Sequence, residues 1–182
     1  SSANSRILYD VGLSNHGARC RLIMHKKKIS DITIASPGDL GGLKSEEYLQ
    51  KNPQGKMPML SCSKSGLDIA ESDTIARFLL SEYPQGPSFL PDSPLSNLIA
   101  RIHDMYITPI QACMYKGGPF GVFGTRKDAL KELVRQLNVI EGLMMDGKYL
   151  CGDEISLADA TLFPTAIFVD MMLPKFDITP AL

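Results

Sequence analysis

Ser14, in the stretch GLSNHGARCRL from Gly12 to Leu22, stands where a short apolar run gives way to a helical pattern. A hydroxyl at a strand-to-helix turn points at whatever lies over the helix N-terminus, where unpaired amides and the helix dipole favour an anion. A thiolate is the anion best served there. A free thiol has a pKa of about 8.5, and lowering it by roughly two units turns a few per cent thiolate into mostly thiolate near neutral pH. Taken alone, Ser14 reads as a helix cap. It has no G-x-S-x-G setting, so a serine hydrolase finds no support.

Two further groups gain meaning beside it. Glu71 and Ser72 open a helix directly after a strand, offering unpaired amides, a hydroxyl donor and a carboxylate in one place. The α-amino acid end of a ligand, bearing both ammonium and carboxylate, fits such a place; the plainer reading makes Ser72 an N-cap. Lys56, Met57 and Pro58 precede a strand. If the Met57-Pro58 bond is cis, the Met57 backbone turns outward and can pair with an extended peptide-like ligand, although X-Pro bonds are trans in most cases. Lys44 and Lys56 can reach a second carboxylate at the far end of that ligand, or face solvent.

The elements that must position these residues fall into two halves. Up to Tyr83, short β-like runs alternate with helical patterns: RILY (Arg6 to Tyr9), a helix over Ala18 to Lys28, ITIA (Ile32 to Ala35), two helical turns over Ser45 to Lys51, a hairpin of MLSC and LDIA, and a helix over Ser72 to Tyr83. This is an α/β half with a mixed sheet. Between Tyr83 and Leu95, four prolines and a glycine deny both helix continuation and strand pairing, which makes a linker. Beyond it the patterns are helical. Leu98, Ile102, Met105 and Tyr106 mark one helix, bent near Pro109; Arg126 to Met145 carry another; a third starts at the Ser156-Leu-Ala-Asp capping box. The expected boundaries are 1–83, a linker at 84–94, and an all-helical 95–182.

Composition narrows the partners. The chain of 182 residues has a formal net charge of −1, and a polyanion partner needs clustered Lys and Arg; nucleic acid is excluded as the main partner. The triplet Lys26-Lys27-Lys28 reads as a solvated helix end. Cys20, Cys62, Cys113 and Cys151 show no metal-ligand spacing, and no metal site is expected. No apolar run is read as reaching the length of about 20 residues that spans a bilayer, so a soluble protein without a membrane span is expected.

Taken in order, SNHGARCRL, KSEEYLQKNPQGKMPML, AESDTIARFL and CGDEISLADATLFP resemble the cytosolic glutathione transferase family, of the serine type found in plant and zeta-like classes. The resemblance implies a thioredoxin-like N-terminal domain, an all-α C-terminal domain, a glutathione site on the first and an acceptor site between the two. Carried over, it makes Ser14 the hydroxyl that stabilises the glutathione thiolate, with Tyr9 at the end of the first strand as the rival donor. Glu71 and Ser72 would hold the γ-glutamyl end, Met57 before a cis Pro58 would pair with the cysteinyl part, and Lys44 and Lys56 would approach the glycine carboxylate. Cys20 lies inside its helix, six residues past Ser14, which argues against a cysteine-type enzyme.

On the acceptor side, Tyr115, Phe120 and Phe123 lie in the glycine-rich stretch YKGGPFGVFG, either a flexible wall of the acceptor pocket or a surface loop with anchoring aromatics. The family further implies transfer of glutathione to a small hydrophobic electrophile, with isomerisation or peroxide reduction on the same thiolate, or a non-catalytic binding or assembly module, as the alternatives; it also implies a homodimer and a cytoplasmic location, with an organelle also open. It also usually continues beyond ITPAL, so the end of this chain reads as a truncation or as an open acceptor site.

Overall fold

The structure, a computed structural model, describes residues 5–178. Of the ITPAL end singled out above, the residues after Ile178 lie outside the described residues. Internal contacts divide the chain into two units, Ser1–Ser88 and Phe89–Leu182.

The first unit is built on a four-stranded sheet of order β2-β1-β3-β4, comprising β1 (Arg6–Tyr9), β2 (Ile32–Ala35), β3 (Met59–Cys62) and β4 (Leu67–Ala70). β1 pairs parallel with β2 and antiparallel with β3, and β3 pairs antiparallel with β4. Strand alternation sends the neighbours Leu8 and Leu60 to one face and Tyr9 and Met59 to the other. Tyr9 and Met59 join Leu40 and Tyr48 in a buried cluster.

Two long helices complete this unit. α1 (Asn15–Lys26) buries Cys20, Ile23 and Met24 at helical spacing, and α3 (Ser72–Glu82) buries Ile75, Ala76, Leu79 and Leu80. The short α2 (Glu46–Lys51) is capped by the Ser45 hydroxyl, and a 3-10 turn at Pro37–Leu40 replaces part of the loop expected between β2 and α2. α1 starts three residues before the expected Ala18. Its first turn, Asn-His-Gly, has poor helix propensity, and the Ser14 cap supplies what propensity does not.

Lys27 corrects the reading of the basic triplet. Its side chain is buried, and Nζ donates to the carbonyls of Tyr83 (2.8 Å) and Gln85 (3.0 Å). These carbonyls follow the end of α3, where the backbone leaves the helix without further intrahelical partners. Burial lowers the Lys27 pKa. Lys26 and Lys28 remain exposed.

The second unit packs α4 (Pro94–Ile102), α5 (Thr108–Gln111), α6 (Arg126–Glu141) and α7 (Leu157–Met172) around one apolar core. Between α4 and α5, a π-helical turn spans His103–Ile107, just before Pro109. Pro109 has no N–H for the regular ladder, which is the physical source of the expected bend. At the start of α7, Asp159 accepts from the Ser156 N–H (2.7 Å) and hydroxyl (2.6 Å), and from the Leu150 N–H (2.9 Å). The Ser96 hydroxyl of α4 takes the Ala158 N–H (3.1 Å).

The 20-residue stretch Leu157–Phe176 corrects the reading of apolar runs, because it contains an 18-residue window with a mean hydropathy of 1.3. In the structure Ala158, Leu162, Val169 and Leu173 of this stretch are buried in the core of the second unit. Length and hydropathy alone do not separate a core helix from a spanning one.

Candidate active site

Strand register brings the candidate residues of the first unit to one end of the sheet. Tyr9, the last residue of β1, pairs with Ala35 on one side and Met59 on the other, and Met59 pairs with Ala70. The chain therefore leaves or enters the sheet on the same row at four places. These lead to residues 10–14, to the 36–44 loop, from Met57-Pro58 and to Glu71-Ser72.

Ser14 is the N-cap of α1, and its Oγ accepts the Gly17 N–H at 3.0 Å. That bond uses an oxygen lone pair and leaves the hydroxyl hydrogen available to a ligand atom. Capping and donation are compatible in one side chain. Tyr9, the rival donor, is buried with its ring edge-to-face on Tyr48, centroids 6.4 Å apart.

The loop before β3 is fixed from behind. The Lys56 carbonyl accepts from the Tyr48 hydroxyl (2.7 Å) and the Asn52 side-chain amide (2.8 Å). The Met57-Pro58 bond is cis, and Gly118-Pro119 in the second unit is also cis. Lys44 and Lys56 are both exposed, and Lys44 Nζ lies over Gly55, the residue before Lys56: a Cβ at 55 would be 2.9 Å from it. The two cations therefore stand on neighbouring stretches of chain.

Glu71 adopts φ 67° and ψ 119° at the start of α3, and its side chain makes no cap bond there. A non-glycine residue held at positive φ costs of order 1–3 kcal/mol and persists where the surroundings impose it, often at ligand clamps. The Glu71 side chain is exposed, while Ser72 is buried. The Ser72 carbonyl accepts from Cys20 Sγ at 3.7 Å, which ties α1 to α3. Burial pushes the Cys20 thiol up to about 12, so this cysteine stays protonated at neutral pH.

Sequence reasoning missed Asp10 and Arg21 and gave Arg19 no role of its own. Asp10 is buried, its two oxygens take no hydrogen bond among the described residues, and Arg21 Nη1 closes on it as an ion pair. Arg19, 1% exposed, lies 3.9 Å from Asp73 in the first turn of α3. The clue available was the alternation of basic residues, Arg19 and Arg21, inside a helix whose other positions are largely apolar.

In the second unit, a cavity of about 320 Å³ is lined by Ile110, Cys113, Lys116, Phe120, Phe123 and Ala129, among others. Phe120 and Phe123 of the candidate acceptor residues are thereby brought together. Tyr115 instead stacks edge-to-face on Phe168, with centroids 5.9 Å apart. Arg126 covers the Phe120 ring at 5.4 Å, and burial pushes the Cys113 thiol up.

Comparison with known proteins agrees with this architecture. Residues 8–88 match the model for the glutathione S-transferase N-terminal domain, and residues 108–182 that for the C-terminal domain. The glutathione S-transferase-like protein FUS3 of Gibberella fujikuroi is 31% identical over 164 residues, covering 85% of this chain and 77% of that protein. Maleylacetoacetate isomerase of Rattus norvegicus is 29% identical over 185 aligned positions, covering 98% and 83%. Among solved structures, Gtt2 from Saccharomyces cerevisiae is similar with a TM-score of 0.74 at 20% identity, covering 96% of this chain and 89% of that one. The thioredoxin-like sheet followed by a helical unit, the two matched domain models and the fungal relative establish that the chain belongs to the glutathione S-transferase family.

Proposed function

We propose that the protein is a glutathione transferase that uses Ser14 to stabilise the glutathione thiolate for attack on a small hydrophobic electrophile. The observation that supports this most is the Ser14 hydroxyl itself. It caps α1 through its oxygen and keeps its hydrogen, at the end of the sheet where the Met57 and Glu71-Ser72 segments also emerge.

Each segment has a separate task. Glu71 receives the ammonium of the γ-glutamyl end, and Ser72 with the first amides of α3 receives its carboxylate. The Met57 backbone, held in place through the Lys56 carbonyl, pairs with the cysteinyl part of the tripeptide. Lys44 and Lys56 attract the glycine carboxylate. Ser14 donates to sulfur, and the positive end of α1 adds to that donation. Glutathione supplies the nucleophilic sulfur; the protein supplies the donor that keeps it ionised. Ser14 acts by hydrogen bonding and forms no covalent bond.

The cavity bounded by Phe120 and Phe123 supports a role on the acceptor side, with apolar walls suited to an apolar substrate. On the family pattern the protein works as a cytoplasmic homodimer. The test is retention on immobilised glutathione together with turnover of chlorodinitrobenzene. Ser14→Ala is expected to keep retention, raise the pKa of the bound thiol and slow turnover. An unchanged thiol titration in Ser14→Ala, followed by thiolate absorbance, overturns the assignment of Ser14.

A second reading, glutathione-dependent isomerisation, is favoured by the resemblance to proteins named maleylacetoacetate isomerase. It uses the same thiolate and differs in the acceptor. Turnover of a cis-enone diacid with return of free glutathione, in the absence of conjugate formation, selects it.

A further inference from the structure

The segment that carries Ser14 has little regular backbone bonding of its own. After Asp10 N–H, which donates to Ala35 O at 2.9 Å, the turn is closed by Ser14 N–H on Val11 O at 3.0 Å. Arg21, one and a half turns into α1, reaches back over it. Its Nη1 donates to Val11 O (3.1 Å) and its Nη2 to Gly12 O (2.9 Å), with Ser14 O at 3.5 Å. The same guanidinium closes on the buried Asp10 carboxylate. Only the planar fork of arginine meets several carbonyls and a carboxylate at once.

We propose that Arg21, set against Asp10, is the positioning residue that holds the Ser14 hydroxyl in place for thiolate stabilisation. This inference rests on the reading of Ser14 as the thiol donor. Arg21 has two tasks in it. Gathering the carbonyls of Val11, Gly12 and Ser14 fixes the turn, and a hydrogen-bond donor stabilises a charge fully only when its place is fixed beforehand. Facing Asp10, the guanidinium also cancels an anion buried under the first turn of α1. Left uncompensated, that carboxylate opposes a second negative charge at the same helix end and raises the thiol pKa. Arg19, on the same helix, instead lies 3.9 Å from Asp73 at the start of α3.

The test compares the full chain with Ser14→Ala, Arg21→Lys and Arg21→Ala, reading the thiolate absorbance of bound glutathione against pH alongside kcat and KM. Arg21→Ala is expected to raise the bound thiol pKa by about one unit and lower kcat about tenfold near neutral pH, with the KM for glutathione within about twofold. Arg21→Lys keeps a charge opposite Asp10 but loses the fork, so its pKa is expected between those of wild type and Arg21→Ala. Arg21→Lys also decides the question if Arg21→Ala does not fold, because its pKa must then still exceed that of wild type. A purely structural arginine lowers the melting temperature and leaves the thiol titration where it was; that result, with Ser14→Ala shifted, overturns the proposal. If Ser14→Ala itself shows no shift, the reading of Ser14 has failed and the proposal falls with it.

Discussion

Asp10 occupies the space that a side chain at Gly17 would need: a Cβ built at position 17 falls on the Asp10 carboxylate. Glycine is therefore required in the first turn of α1 for close approach, despite its helix penalty of about 1 kcal/mol. Gly17→Ala forces either Asp10 or the first turn to move, and overpacking of this kind costs about 1–3 kcal/mol. The Gly17 N–H is also the donor to Ser14 Oγ. Chemical denaturation is expected to show a net loss of stability together with weaker thiolate formation; a stability equal to or above wild type removes Asp10 from that position.

Glu71 is expected to separate stability from binding. Replacing it with glycine relieves a backbone strain of about 1–3 kcal/mol at the expense of about 1 kcal/mol of glycine entropy. Glu71→Gly should thus melt at or above the wild-type temperature while losing retention on immobilised glutathione. Glu71→Ala keeps the positive φ and loses the carboxylate, so it should lose retention and gain no stability. Glu71→Gly melting below both Glu71→Ala and wild type contradicts the strain at φ 67°.

Lys27→Met tests the buried ammonium. Methionine keeps most of the apolar stem but leaves the carbonyls of Tyr83 and Gln85 without their donor. An unsatisfied buried polar group costs about 1–3 kcal/mol, so urea titration is expected to show a loss of that size. Lys26→Met, at an exposed position, serves as the comparison and should change stability little.

Glu132 supplies a pH dependence. Hydrogen bonds from Arg135 and then Gln136 hold its carboxyl down to about 2. In the unfolded chain the group titrates near 4.3. Its stabilising contribution is therefore complete above the unfolded value and disappears as pH falls from there toward 2. Over that window, stability should fall more steeply in wild type than in Glu132→Gln. Parallel curves would show that the Arg135 contact contributes nothing in solution.

Much of the first unit was legible because periodicity reports burial: β2, β3 and β4 lie where alternation and turn residues placed them, and α3 starts at Ser72 as expected. Motifs led to Ser14, Met57-Pro58 and Glu71-Ser72, because helix starts and proline have local signatures. What the sequence hid was contact between distant segments. Lys27 looks like surface in a run of three lysines, and only the return of the chain after α3 buries it. Asp10 and Arg21 carry no motif, since their partnership depends on a helix folding back over the turn before it. The start of α1 was misplaced for a related reason: Asn15 to Gly17 lack helix propensity, and the cap decides.

The row formed by Ala35, Tyr9, Met59 and Ala70 joins segments far apart in the sequence, and no one of them makes a binding surface by itself. If the tripeptide binds here as proposed, affinity for it is a property of the assembled sheet. Fraying of any strand at this end dismantles part of the cradle, and a bound ligand in turn resists fraying in all four strands. Saturating glutathione should therefore slow amide exchange at the ends of β1, β2, β3 and β4 together, including residues that never touch it.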